Sequence, residues 1–331
     1  MFPREIVYLF LISCCVSEIV AVFGGSVVLG KIGTNRIEDV KLRFYNGKTA
    51  EQHVDIPLSQ SQQLLQVQGF NQNNPTVFYI HGYVELPEQE SIKVIVNAYL
   101  QARPGTNVIL LDWSEMAQGS YTLNAVWNAK RVGPAAAEQL NKLIDLGLPL
   151  EKLHIIGFSL GSQVAGYTAR ELKNRFNKNV KRVTVLDPAY PSFYPSSYLL
   201  QHVNAGDAEF VDVIHTDAGG YGAPVPTGTA DFWPNGGRRV QPGCPIFAPI
   251  PLTEPNLCSH CRSWEYYAES VRNPEAFPAS PASSYVNFQF KQNRALGMMY
   301  MGYGCDKNAR GNYYLTTNHQ APFGRGLYSM Y

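Results

Sequence analysis

Gly157-Phe158-Ser159-Leu160-Gly161 is a G-x-S-x-G pentapeptide. A serine hydroxyl becomes a nucleophile near neutral pH when an imidazole takes its proton and a third group holds that imidazole in one tautomer. Alone the pentapeptide is a weak signal, and a small-residue turn with no chemistry would read the same way. Its setting strengthens it. The β-rich run Leu153-His-Ile-Ile156 ends just before it, and Leu160, Val164, Tyr167 and Leu172 follow at helical spacing. The sequence therefore predicts strand, tight turn and helix, with flanking glycines allowing the turn and Ser159 presented at its tip.

In chains built on that turn the acid and the base follow the serine in that order, each from a loop beyond the C-terminal end of a strand. Asp187 fits the acid: it caps the apolar run Val183-Thr-Val-Leu186, and Pro188 stops the strand beside it, although a turn-forming Asp-Pro would look alike. His202, His215, His260 and His319 lie downstream. His215 falls within a strand pattern and reads as a hydrogen-bonded core histidine. His260, fixed between Cys258 and Cys261 at the close of a loop, is the candidate base, and sequence order alone leaves that choice open. A tetrahedral oxyanion needs two donors. The backbone N–H of Leu160, at the start of a helix where the dipole favours negative charge, supplies one; the N–H of Tyr83, in Ile80-His81-Gly82-Tyr83, supplies the other. His81 precedes the serine and is read as structural.

These residues need a frame. Thr76–Ile80, Asn107–Leu111, Leu153–Ile156 and Val180–Leu186 are candidate buried strands, with Val211–Thr216 a later one and Val40–Tyr45 a weaker one. Between them Gln89–Ala102, Ala125–Gly147 and Leu160–Phe176 carry apolar residues at helical spacing. Such alternation predicts an α/β protein: a mostly parallel central sheet with helices on both faces. Ala218–Thr229, Cys244–Cys258 and Asn273–Pro281 are rich in Gly or Pro and read as loops, with Ser284–Phe290 and Asn312–Thr317 as final strands.

The chain has 331 residues, 45% hydrophobic and 16% charged, with 27 Lys+Arg against 26 Asp+Glu. That composition supports a large core, and a formal charge of +1 argues against a nucleic-acid partner. Residues 1–23 read as a secretory signal peptide cleaved between Ser17 and Gly25, leaving 24–331 as one domain, secreted and extracellular; an uncleaved membrane anchor is the alternative. Cys14 and Cys15 would leave with the signal. Cys244, Cys258, Cys261 and Cys305 remain, an even set that favours two disulfides in an exported chain, with three pairings open. Cys258, His260 and Cys261 also suggest a zinc site, against which their irregular spacing counts.

With these residues in hand the chain resembles the pancreatic lipase family, which includes insect lipases, venom phospholipases A1 and catalytically dead yolk proteins. The likeness runs from about Val77 to Gly326. It rests on Tyr79-Ile-His-Gly-Tyr83, Leu110-Leu-Asp-Trp113, the pentapeptide, Leu186-Asp-Pro-Ala189, Val211-Asp-Val-Ile-His-Thr-Asp217, Asp231-Phe-Trp-Pro-Asn-Gly-Gly237 and Cys258-Ser-His-Cys-Arg-Ser263. The resemblance implies an α/β-hydrolase fold and hydrolysis of lipid carboxylic esters through an acyl-enzyme. Ser159 would be nucleophile, Asp187 orienter and His260 base, with no cofactor and no metal. The yolk-protein likeness keeps a non-catalytic lipid-binding or storage protein as the alternative.

Several positions depart from the family. Phe158 precedes the nucleophile where many relatives have His, and Gly228-Thr229 replaces a frequent Gly-His. The stretch that binds calcium in some relatives reads Leu199, His202, Asn204, Asp207, with one carboxylate, so no calcium is expected. The C-terminal lipid-binding β-sandwich domain is not expected, nor a colipase-type partner. Cys244 and Cys258 match the cysteines bounding the family's lid, but only 13 residues separate them, Pro245, Pro249, Pro251 and Pro255 among them. Proline inside a helix costs about 3 kcal/mol, so a helical lid is not expected. A short lid with a short Ala218–Thr229 loop goes with phospholipase A1 or broad esterase activity in the family. Ile246, Phe247, Ile250 and Leu252 would offer an apolar rim to a lipid–water interface. By the same resemblance Cys261 and Cys305 would pair.

Overall fold

The structure is a computed structural model and describes residues 18–23, 26–31, 35–196, 199–292 and 296–331. Most of the signal-peptide reading, residues 1–17, lies outside the described residues. Strands β1 (Glu18–Phe23) and β2 (Ser26–Lys31) pair antiparallel.

Five apolar runs form the middle of the sheet: β5 (Thr76–Ile80), β6 (Asn107–Asp112), β7 (Leu153–Phe158), β8 (Arg182–Leu186) and β9 (Val211–Ile214). They pair parallel in the order β9-β8-β7-β5-β6. Burial on both faces explains why they read as mostly apolar runs; among the polar exceptions, Arg182 and Thr184 both donate to Asp212 inside the sheet. Strands β3 (Lys41–Tyr45) and β4 (His53–Pro57) extend one side antiparallel. On the other side β10 (Ala230–Pro234) and β13 (Gly311–Leu315) continue parallel, and β11 (Pro278–Pro281) and β12 (Met299–Tyr300) close the edge antiparallel.

Period-two alternation assigns the two faces. Phe78 and Ile80 of β5 join one core cluster with α2 (Val126–Asp145) and α3 (Leu160–Phe176), while Val77 and Tyr79 join a second with α1 (Glu90–Ala102) and α4 (Glu254–Arg272). The expected layers, one helical layer on each face of a mostly parallel sheet, are those observed.

The sequence reading is corrected at three places, besides β11, which forms at the end of Asn273–Pro281, a stretch read as a loop. Helix α4 begins at Glu254, inside the stretch read as a loop, and it carries His260. Pro255 lies in its first turn, where no intrahelical N–H is needed. Residues 285–290, read as a strand, form α5 (Tyr285–Phe290), started by Ser284, whose Oγ accepts the Asn287 N–H at 3.1 Å. Third, Cys244 and Cys258 are bridged with Cα atoms 5.7 Å apart, but Cys261 and Cys305 are free thiols. Cys261 sits near the start of α4. Cys305 follows Tyr303, whose N–H bonds Ser270 Oγ near the far end of that helix.

Candidate active site

Ser159 joins β7 to α3 with φ 52° and ψ −119°, a backbone conformation that costs energy unless its surroundings enforce it. They do so through the main chain. Ser159 N–H donates to Leu186 O at 3.0 Å, and Ser159 O accepts from Ala189 N–H at 3.1 Å and Ser162 N–H at 3.0 Å. The flanking glycines are required by close approach. A Cβ on Gly157 would meet Gly161 O at 2.4 Å, and one on Gly161 would meet Ile80 O at 2.3 Å.

Asp187 emerges from the end of β8, fully buried, with φ 43°. Its Oδ1 accepts the N–H groups of Thr216 (2.8 Å) and Asp217 (3.1 Å), and its Oδ2 lies 2.6 Å from His260 Nδ1. These bonds hold the carboxylate in one orientation. With Nδ1–H donated to it, the proton-accepting nitrogen of His260 is Nε2. The imidazole is clamped by Phe158 (ring centroids 4.8 Å) and Tyr221 (5.5 Å), and is 3% exposed. Ser159 and His260 line the same cleft of about 1200 Å³. Among the described residues no hydrogen bond joins Ser159 Oγ to the ring, a contact that commonly tightens only around substrate.

The remaining histidines stand elsewhere. His215 is buried, 2.8 Å from Asp231 Oδ1 and stacked 3.7 Å from Trp233. His202 stacks on Tyr194, and His319 is exposed. His81 is also buried: its Nε2 accepts Trp113 N–H at 3.2 Å, so its Nδ1 is the donor to Gly82 O at 3.0 Å.

The Gly82-Tyr83 turn lies against the serine, since a Cβ on Gly82 would come 3.1 Å from Ser159 Cβ. The N–H groups of Tyr83 and Leu160 donate to no acceptor among the described residues, which leaves two amides available beside Ser159. Asp207, the one acid of the stretch compared with calcium-binding relatives, is taken bidentately by Arg170 at 2.8 and 2.9 Å. Cys261, one residue from His260, lines the cleft, and burial pushes its thiol up to about 12.

Two residues missed in the sequence are prominent here. Glu85 lines the cleft and bonds Gly82 N–H. Tyr221 covers His260 and ties the 244–253 loop down: its Oη donates to Asn256 Oδ1 at 2.6 Å and accepts Leu252 N–H at 3.1 Å. Tyr221 is an aromatic in a Gly/Pro-rich stretch, the only hint the sequence offered. At the surface of that loop Ile246, Phe247 and Ile250 are 92%, 82% and 62% exposed.

A strained serine between strand and helix, followed in sequence by a buried acid after the next strand and a histidine bonded to it, defines an α/β-hydrolase. The model of the Lipase family matches residues 27–323. Pancreatic triacylglycerol lipase of Myocastor coypus is 34% identical over 79% of this chain and 61% of its own length. That of Ictidomys tridecemlineatus is 31% identical over 88% and 67%. Inactive pancreatic lipase-related protein 1 of Homo sapiens is 30% identical over 80% and 61%. The chain belongs to the pancreatic lipase family, and it spans about 61% of the length of the first of these relatives.

Proposed function

We propose that this chain is a secreted lipase that hydrolyses carboxylic ester bonds of lipids, acylglycerols or phospholipids in the manner of a phospholipase A1, with Ser159, His260 and Asp187 as its triad. The observation that carries the reading is the 2.6 Å contact of His260 with buried Asp187 in the cleft that Ser159 also lines. Ser159 Oγ attacks the ester carbonyl as His260 Nε2 takes its proton, and Asp187 stabilises the imidazolium. The N–H groups of Tyr83 and Leu160 receive the oxyanion, the second helped by the dipole of α3. Collapse breaks the bond to the alcohol, which leaves with the proton from His260; water then attacks the acyl-enzyme by the same route in reverse.

The cleft favours lipid over a small polar ester: Tyr83, Tyr121, Phe158, Leu252 and Leu257 line it, and Ile246, Phe247 and Ile250 stand beside it facing water. A disulfide at Cys244–Cys258 fits an oxidising compartment, and no helix among the described residues is long and apolar enough to cross a membrane. The inactive relative and the unmade Ser159–His260 bond support a second reading, a non-catalytic lipid-binding protein on this scaffold. Ser159→Ala decides between them. Loss of turnover on phosphatidylcholine, triolein and a soluble short-chain ester supports the triad, and unchanged turnover refutes it. The same panel on the unaltered protein ranks phospholipid against acylglycerol, and N-terminal sequencing of the secreted chain tests cleavage between 17 and 25.

A further inference from the structure

One buried carboxylate in the cleft has no part in the proton path. Glu85 is 9% exposed, and burying a carboxylate is costly unless hydrogen bonds compensate. Both of its oxygens are engaged: Oε2 accepts Gly82 N–H at 2.6 Å, and Oε1 accepts the Ser91 hydroxyl from the first turn of α1. The carboxylate therefore bridges a rigid helix to the turn that borders the nucleophile.

That turn needs such a hold. Gly82 has no side chain to pack, and a Cβ there would meet both Ser159 Cβ (3.1 Å) and Glu85 Oε2 (3.2 Å). What matters is the direction of the next peptide. In a trans peptide the C=O and the following N–H point in opposite directions, so His81 Nδ1, by holding Gly82 O at 3.0 Å, turns the Tyr83 N–H the other way. Glu85 fixes the amide on the other side of the same Cα. Gly82 is thus clamped at both its N–H and its C=O, and it has the fewest steric limits of any residue on rotating between them. Val84, at φ 53° and bonded through its N–H to Ala117 O at 3.0 Å, closes the turn.

We propose that Glu85, braced by Ser91, is a positioning residue that aims the Tyr83 N–H at the developing oxyanion. The inference rests on the ester-hydrolase reading and deepens it. Glu85 touches no reacting atom, so its removal should weaken transition-state stabilisation and leave ground-state binding alone. Losing an oxyanion donor outright costs about 10²–10³ in kcat, and a misaimed one should cost somewhat less.

The test compares wild type, Glu85→Ala, Glu85→Asp, Glu85→Gln and Ser159→Ala on a soluble p-nitrophenyl butyrate substrate. Glu85→Ala is expected to lower kcat by about 30- to 100-fold with KM within about threefold. Glu85→Gln, whose carbonyl oxygen can accept Gly82 N–H while its amide donates to Ser91, is expected to stay within about fivefold of wild type. Affinity for an alkylboronic acid that mimics the tetrahedral adduct should fall in parallel with kcat/KM. Glu85→Asp, one methylene too short to span Gly82 and Ser91, carries the same test where the alanine variant does not fold. Wild-type kcat in Glu85→Ala or Glu85→Asp, or a loss confined to KM, overturns the proposal. A Ser159→Ala enzyme that still turns over substrate overturns the underlying reading instead.

Discussion

Two loops border the cleft, and they are held in opposite ways. The 81–85 turn is fixed from inside, by a buried imidazole and a buried carboxylate, each bonded to a peptide group of Gly82, with the imidazole itself accepting the Trp113 N–H. The 244–253 loop is held by its backbone at a few points, the Cys244–Cys258 bridge at one end, Asn256 at Ala248 O in its middle and Tyr221 at Leu252 N–H, while Ile246, Phe247 and Ile250 face outward. Bonds to both sides of one residue fix the direction of its peptides; backbone ties at a few points hold a loop in place and leave its outward side chains free to meet a surface. On the proposed function, the first loop aims an oxyanion donor and the second meets aggregated lipid. Changes in the first should then slow every ester, and changes in the second only substrates held in an interface.

The largest effect expected is the loss of chemistry on both kinds of substrate. His260→Ala removes the base and should lower kcat by at least about 10⁴-fold on soluble ester and on phospholipid vesicles alike. A selective loss on vesicles alone would break the division between the loops. Next comes the outer loop. Replacing Ile246, Phe247 and Ile250 together with Ser should lower turnover of phosphatidylcholine vesicles or a triolein emulsion by about tenfold, a loss equivalent to about 1.4 kcal/mol and less than full burial of one such side chain contributes. Soluble butyrate ester should change by less than about twofold. Equal losses on both would assign the loop to the chemistry.

Tyr221→Phe sharpens the comparison with a smaller change. It removes the hydroxyl that holds Leu252 and Asn256 but keeps the ring against His260. At roughly 1 kcal/mol for a net hydrogen bond, a drop in Tm of a few degrees is expected with soluble-ester kcat nearly unchanged; a large fall in kcat would mean that the hydroxyl acts on His260. The smallest effect concerns the thiols. Burial pushes Cys261 up to about 12, so at pH 7.5 it remains protonated, and iodoacetamide should label it slowly in the folded chain. After denaturation without reductant, peptide mapping should find Cys261 and Cys305 alkylated and Cys244–Cys258 bridged. A Cys261–Cys305 bridge would restore the pairing that the family resemblance implied.

What the sequence revealed depended on how each segment is buried. β5 to β9 and α1 to α3 were legible because aliphatic residues fill both sheet faces or one helix stripe, giving strong periodicity. Helix α4 was not: its buried residues are mostly small, polar or aromatic, Ser259, His260, Ser263, Trp264, Tyr266, Tyr267, Ala268 and Ser270, with Val271 the one large aliphatic, and prolines precede it. β10 was hidden likewise, since Ala230-Asp-Phe-Trp-Pro234 has no β-branched residue and ends on proline. Ser159, Leu160 and Asp187 were readable because strand ends and a local turn place them. The order of residues left His260 open against His202, His215 and His319, because its partner lies 73 residues away; the family resemblance of Cys258-Ser-His-Cys-Arg-Ser263 singled it out, and the fold shows the contact itself. Glu85 and Tyr221 act through single hydrogen bonds across loops, which leave no periodic trace.

The central claim is that Asp187 and His260 activate Ser159 for attack on an acyl group. Its most direct test is reaction of the purified chain with a fluorophosphonate probe, followed by peptide mapping, in wild type and in His260→Ala. Stoichiometric labelling at Ser159 that is lost without the imidazole is the predicted result. An unlabelled Ser159 in folded wild-type protein, or labelling that persists undiminished in His260→Ala, would contradict it.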